Sequence, residues 1–152
     1  MASDLIHEGH INIIKVGRSL GSVCVGLLTD EAIRTYKRQP ILTFESRKAV
    51  IENIVGVDRV IPQFEHDYRP NLELIRPDYV VHGDDWKTGP QSQVRQQVIE
   101  KLNEWGGQLI EPTYTTGIST TEIIERCSDR YNKERCSMLD SPSHFIVKPI
   151  TD

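Results

Sequence analysis

The chain predicts an α/β domain with a parallel sheet, on three observations. Helical and extended periodicities alternate along most of its length, in the order helix, strand, helix, strand, helix, strand, helix, strand, helix. Its 152 residues suit one domain able to bury its own core. Polar clusters follow the apolar runs at their carboxyl ends, where open α/β sheets gather ligands.

In chain order, residues 1–6 come first, and they are too few for a full strand plus a turn. The first sheet strand is therefore expected to be missing or truncated, with a stub or loop in its place. Residues 10–20 carry the helical spacing of Ile11, Ile13 and Ile14, and Gly21 is a suitable stop. Residues 23–28 form a continuous apolar run, as a strand covered on both faces would, closed by Thr29, Asp30 and Glu31. Residues 34–40, with Arg34, Tyr36, Lys37 and Arg38, read as a basic loop. Thr43 is placed to cap a second helix with Glu45 in its first turn. Val50, Ile51 and Ile54 form that helix's expected apolar stripe. Arg47 falls off the stripe, towards the mouth of a ligand site.

Gly56 ends that helix, and residues 57–61 alternate as a strand. A loop over 62–70 leads to a short helical turn at 71–75, then a strand over 78–82 that runs into Gly83, Asp84, Asp85 and Trp86. Residues 91–105 read as a helix with Val94, Gln97, Val98, Ile99 and Leu102 inside, ended by Gly106 and Gly107. Residues 108–111 are the last strand, stopped by Pro112, and Ser119 opens a final helix to about Cys127. Periodicity fades after about Asp129, so the expected division is a domain over 1–129 and a tail or linker over 130–152. Phe145, Ile146 and Val147 are the only apolar stretch left over to replace a missing strand.

Composition narrows the function. Net charge is −4 with the basic residues scattered, which gives no nucleic-acid or membrane surface. No apolar run reaches the length of a membrane span. The three cysteines, Cys24, Cys127 and Cys136, have no zinc-like spacing, and with no signal peptide they point to free thiols in a reducing cytoplasm.

The chemistry concentrates at two helix starts. His7 and His10 stand three apart at the first, where unpaired N–H groups and the positive end of the dipole suit phosphate. No HExxH and no cysteine partner supports zinc at this pair. Gly9 between them would let an anion approach the backbone closely. At the last helix start, Ser119 and Glu122 form a capping box, and Gly117, Thr120 and Thr121 add donors beyond that structural role. Asp84 and Asp85 at a strand end suit a divalent cation or nucleotide hydroxyls, or are solvated loop carboxylates. Trp86 reads as a packing residue. Neither GxxxxGK[ST] nor GxGxxG is present.

Taken together, HxGH at residues 7–10 and ISTT at 118–121 resemble the signature pair of the nucleotidyltransferase superfamily, and within it the cytidylyltransferases. Further residues of the same kind are Thr29-Asp30-Glu31, Tyr36-Lys37-Arg38, Glu45-Ser46-Arg47-Lys48, Val57-Asp58 to Pro62, and Gly83-Asp84-Asp85-Trp86. The resemblance covers about residues 3–125. Glycerol-3-phosphate cytidylyltransferases share most of it but carry arginine where this chain has Tyr114. The Ser3–Ile13 run, the Val81–Gly89 loop and Tyr114 look more like phosphonate cytidylyltransferases, which are often fused to or encoded beside phosphoenolpyruvate mutase.

That resemblance implies a Rossmann-like sheet with helices on both faces and the transfer of CMP from CTP to a phosphonate such as 2-aminoethylphosphonate or 2-hydroxyethylphosphonate, with pyrophosphate released. Glycerol 3-phosphate or another phosphate monoester is the alternative acceptor, and an inactive, N-terminally truncated nucleotide-binding module is the alternative of another class. The implied catalytic residues are His7, His10, Lys37, Ser119 and Thr120. Gly9, Asp30, Arg47, Gly83, Asp84, Asp85, Thr116, Gly117 and Ile118 would bind the nucleotide, and Asp4 and Asp84 would hold Mg²⁺. The family's central strand leads up to Ser3 and Asp4, so restoring upstream residues is expected to raise stability and activity. A homodimer and a phosphoenolpyruvate mutase domain or partner are further expectations of the resemblance.

Overall fold

A computed structural model describes residues 1–134. The backbone divides into two compact units, Met1–Thr120 and the part from Thr121 onward, each taken by itself below. Cys136 and the stretch Phe145, Ile146 and Val147 lie outside the described residues, as does most of the expected tail over 130–152.

The first unit holds four short parallel strands with helices packed against them. In order these are α1 (Glu8–Leu20), β1 (Cys24–Leu28), α2 (Asp30–Arg34), α3 (Phe44–Glu52), β2 (Arg59–Gln63), α4 (Arg69–Ile75), β3 (Tyr79–Val81), α5 (Ser92–Asn103) and β4 (Gln108–Ile110). The alternation expected from the sequence is present, with one addition. Helix α2 occupies the start of the expected basic loop because Thr29 caps it, its Oγ1 accepting the Ala32 N–H at 3.2 Å. Helix α6 (Thr120–Glu134) begins at the last residue of the first unit and makes up the described part of the second. No helix among the described residues is long and apolar enough to cross a membrane.

The strands form two pairs, β1 with β2 and β3 with β4, both parallel. Each pair has its own core. Val25, Leu27, Ile51 and Val60 are buried together in the first, and Leu72, Trp86, Val98 and Leu102 in the second. No strand among the described residues joins the pairs. Alternate residues of a strand direct their backbone groups to opposite edges, so β1 faces β2 through Val25 and Leu27 and turns Gly26 and Leu28 the other way. On that second edge the Met1 ammonium donates to Gly26 O, and Leu28 N–H donates to Met1 O at 2.9 Å. The segment before α1 therefore lies against this edge of β1 through Met1.

Helix α3 is capped as expected, Thr43 Oγ1 accepting from Ser46 N–H at 3.3 Å, but its inner face differs. Arg47 and Ile51, one turn apart, are buried, whereas Val50 is 47% exposed. The apolar stripe therefore runs through the position held by an arginine, a substitution that a hydrophobicity pattern registers as a gap.

Candidate active site

The first turn of α1 is built by its own histidines. His7 is the N-cap in extended conformation, and its Nδ1 accepts from Gly9 N–H at 3.2 Å. His10 reaches back, its Nδ1 accepting from His7 N–H at 3.3 Å. This is a capping box made with two imidazoles in place of Ser and Glu. The ring centroids stand 4.0 Å apart. Because each Nδ1 accepts a backbone proton, the neutral form of each ring must carry its own proton on Nε2. Burial, with help from the charges of His7, the N-terminus and Lys37, pushes His10 down to about 4. At neutral pH His10 is thus an uncharged donor.

Gly9 has a different reason from the one expected. A Cβ there would lie 3.0 Å from both Cε1 and Nδ1 of His7 and 3.7 Å from Thr115. The glycine is needed first to let the His7 ring fold over the helix start.

Residues 112–120 run beside that turn. Asn12 Nδ2 donates to Thr115 Oγ1 at 3.0 Å, and Thr120 Oγ1 donates to Leu5 O at 3.5 Å. Thr116 and Gly117 form a turn in which Gly117 has φ +80°, while no atom lies within 4 Å of where a Cβ would be. Backbone conformation, not space, selects glycine there. Ile118 and Ser119 then lead into α6. The structure therefore brings His7, Gly9, His10, Thr116, Gly117, Ile118, Ser119 and Thr120 into one neighbourhood. Lys37 joins them electrostatically, since its charge depresses both His10 and His66.

Asp4, Asp30 and Arg47 have prior engagements. Arg47 is 1% exposed rather than at a mouth. Its guanidinium donates to Leu42 O, Ala2 O and Leu28 O at 2.6–3.2 Å and pairs with Asp30 Oδ1 at 2.6 Å. Asp30 Oδ2 also accepts from Phe44 N–H at 3.2 Å. This pair clamps α3 to the end of β1; it is framework, which corrects the expectation that Arg47 reaches the nucleotide. Asp4 Oδ1 accepts from the Ile41 and Leu42 amides at 2.7 and 3.0 Å, and its Oδ2 faces Arg38 at 3.6 Å.

Gly83, Asp84 and Asp85 belong to a 3₁₀ turn after β3. Asp84 Oδ1 accepts from Tyr114 N–H at 2.9 Å, and Oδ2 lies 4.0 Å from Lys87. A Cβ on Gly83 would sit 3.0 Å from Asp85 Oδ1 and 3.5 Å from the Tyr114 ring. Trp86 is a packing residue: it is buried, stacks on His82 at 3.7 Å and donates to Glu111 Oε1 at 2.8 Å. Arg95 grips Glu111 through both oxygens at 2.7 and 2.8 Å. That fork, with the Trp86 bond, holds the Glu111 carboxyl down at about 2.

For a divalent ion the fit is poor at the two expected carboxylates. Each has one oxygen committed to backbone amides and the other turned to a cation. Among the described residues no three His, Cys, Asp or Glu side chains converge.

Sequence reasoning passed over His66, Tyr68 and His82. The Tyr36 and His66 rings meet at 4.4 Å, with Lys37 Nζ 5.5 Å from the Tyr36 ring. Tyr68 lies 5.7 Å from Trp86 and 6.3 Å from His82, and burial holds its phenol well above its usual range. The available signal was position, since His66 and Tyr68 follow the carboxyl end of β2.

Known proteins resemble this chain over most of its length. The chain is 32% identical over 133 residues to the Bifunctional protein HldE of Syntrophotalea carbinolica, covering 86% of this chain and 26% of that one. It is 32% identical over 127 residues to the probable ethanolamine-phosphate cytidylyltransferase of Schizosaccharomyces pombe, covering 81% and 33%. The mouse ethanolamine-phosphate cytidylyltransferase is 31% identical over 127 residues, covering 81% and 30%. The chain thus spans about a quarter to a third of the length of these relatives. Among solved structures, the lipopolysaccharide core biosynthesis protein from Thermoplasma volcanium superposes with a TM-score of 0.64 at 26% identity, covering 76% of this chain and 93% of that one. Residues 3–126 match the family described as Cytidylyltransferase-like, and the chain belongs to that family.

Proposed function

We propose that this chain transfers a cytidylyl group from CTP to a small acceptor bearing a phosphonate, such as 2-aminoethylphosphonate or 2-hydroxyethylphosphonate. An acceptor oxygen attacks the α-phosphorus, the bond from that phosphorus to the bridging oxygen breaks, and pyrophosphate leaves with the electron pair. The attacking oxygen is already ionised at neutral pH, so no protein nucleophile and no strong base is required. Catalysis reduces to positioning and charge stabilisation.

The observation that carries this reading is the imidazole capping box. It fixes two rings side by side at a helix N-terminus, each with its Nδ1 occupied and its neutral-form proton on Nε2. Two fixed donors at the positive end of a dipole suit charge that grows on the α-phosphate and the bridging oxygen. His7 and His10 take that role. Ser119 and Thr120, with the Thr116, Gly117 and Ile118 backbone, hold the β- and γ-phosphates. Lys37 reaches the acceptor or nucleotide, and Gly83, Asp84 and Asp85 face the ribose and cytosine. Mg²⁺ enters as the companion of CTP, its shell drawn from phosphate oxygens and water rather than from Asp4 or Asp84.

A phosphate monoester acceptor is the second reading, favoured by the two ethanolamine-phosphate cytidylyltransferases among the relatives. Phosphoethanolamine and 2-aminoethylphosphonate differ only in the oxygen that joins carbon to phosphorus. Pyrophosphate release, measured with CTP and Mg²⁺ and each of four acceptors (2-aminoethylphosphonate, 2-hydroxyethylphosphonate, phosphoethanolamine and glycerol 3-phosphate), tests both readings. The first requires the highest kcat/KM with a phosphonate. A preference for phosphoethanolamine replaces it with the second, and no release with any acceptor removes both.

A further inference from the structure

His82 is a histidine that the proposed reaction leaves unused, and it stands immediately before the turn that carries Gly83, Asp84 and Asp85. Its Nδ1 lies 2.8 Å from Gly83 O. A carbonyl oxygen only accepts, so the proton of the neutral ring sits on Nδ1, the opposite tautomer from His7 and His10. The ring lies nearly parallel to the Trp86 indole, with centroids 3.7 Å apart and planes 15° from parallel. Trp86 is itself buried and bonded to Glu111, which Arg95 grips from α5. The Nδ1 donor therefore stands on a fixed platform.

The bond to Gly83 O restrains one peptide. Gly83 O and Asp84 N–H belong to the same peptide unit, and Asp84 N–H donates to Pro112 O at 3.2 Å. With both groups engaged, that peptide plane cannot turn without losing a hydrogen bond. Position 83 is where restraint is needed. A Cβ there would lie 3.0 Å from Asp85 Oδ1, so the turn requires glycine, which leaves its backbone the freest of any residue. Asp84 Oδ1 then accepts from Tyr114 N–H at 2.9 Å, and the adjacent Thr115 Oγ1 accepts from Asn12, two residues after His10. A short run of bonds thus ties the turn to the segment beside the histidines. The His82 bond is the tie made by a side chain outside the set proposed to face the nucleotide.

We propose that His82 is a positioning residue for the nucleotide: its Nδ1–H, braced by Trp86, fixes the Gly83–Asp84 peptide and with it the carboxylates of Asp84 and Asp85. This rests on the reading above, in which that turn faces the ribose and cytosine. His82 itself makes no contact with CTP. A turn already held in its binding conformation need not be ordered when the ligand arrives, so the effect falls on CTP affinity. The chemical step, which His7 and His10 serve, is left largely as it was.

The test compares His82→Phe and His82→Asn with the unaltered chain by CTP titration, by pyrophosphate release with the best of the four acceptors, and by thermal melting. Phenylalanine keeps a ring over Trp86 but has no donor, whereas asparagine places an amide N–H where Nδ1 stands and lacks the ring. In His82→Phe the Kd and KM for CTP should rise about tenfold while kcat stays within about threefold. In His82→Asn both should return to within about threefold of the unaltered chain. Tm should stay within about 4 °C in each. NMR of the unaltered chain at pH 8 should show the Nδ1–H tautomer at His82. Unchanged CTP affinity in His82→Phe overturns the inference. So does an Nε2–H tautomer, a defect in His82→Asn as large as in His82→Phe, or a loss of affinity matched by a loss of Tm. A chain that binds CTP but releases no pyrophosphate loses the transfer reaction, while the titration still decides the role of His82. If the unaltered chain binds no CTP, the nucleotide reading fails and this inference falls with it.

Discussion

His10 does two jobs with one ring. Its Nδ1 closes the helix start, and its Nε2 proton is the donor that the proposed transfer uses. Replacing it with alanine should lower kcat by about a hundredfold or more while leaving CTP affinity within a few fold, because the contact matters most in the transition state. Steady-state kinetics beside a CTP titration checks this, and wild-type turnover would remove His10 from the mechanism. Its protonation gives a second expectation. The folded protein binds this proton only near pH 4, whereas the unfolded chain binds it near the ordinary 6.5. Between those values the unfolded state holds more protons, so stability falls as pH drops from about 6.5 towards 4. NMR titration of the imidazole should show the Nε2–H tautomer persisting through that window. Gly9→Ala should push against the His7 ring and lower turnover by about tenfold without lowering Tm, since alanine is otherwise the better helix former. The HxGH spacing was legible because it is local. The reason for its glycine was not, because that depends on a ring folded back over the backbone.

Two clamps position the loops around the site. Arg47 ties α3 to the end of β1 and to Ala2, using Asp30 and three carbonyls. Removing its side chain leaves a half-buried carboxylate and several carbonyls unpaired, so Arg47→Ala should cost about 3–5 kcal/mol in urea denaturation. A loss below about 1 kcal/mol would contradict the clamp. Glu111 fastens the turn after β3 to α5 through Trp86 and Arg95. Its carboxyl is held near 2 in the folded state, so this stabilisation is present above about 4.5 and fades as pH falls towards 2. Glu111→Gln should flatten that part of the stability–pH curve. Periodicity revealed both helices and all four strands. It misjudged Arg47 because a buried arginine takes an apolar place in the helix pattern while its bonds go to residues 2, 28, 30 and 42.

The four described strands make two pairs, each with its own core, and the residues proposed for nucleotidyl transfer at His7, His10 and Thr120 lie on segments that meet at α1. Much of this was legible: the alternation of elements, the parallel pairing and the cap at Thr43 all follow from local spacing. What was not legible came from distance in sequence. The Tyr36–His66 contact and the short helix α2 depend on where loops return, and no periodic pattern encodes that. A ligand that binds only the folded chain must stabilise it, so CTP with Mg²⁺ at about a hundred times its Kd should raise Tm by about 5–10 °C. No shift would mean that no nucleotide binds. Nucleotide binding alone would still be shared by an inert module, which leaves the bond-forming step as the decisive observable. Phosphorus NMR of the protein with CTP, Mg²⁺ and 2-aminoethylphosphonate reads that step directly. The account predicts pyrophosphate together with a new pair of coupled resonances from the P–O–P anhydride that joins CMP to the phosphonate, both forming about a hundredfold more slowly in His10→Ala; a spectrum that retains only CTP and free acceptor, with phosphoethanolamine and glycerol 3-phosphate equally inert, would contradict it.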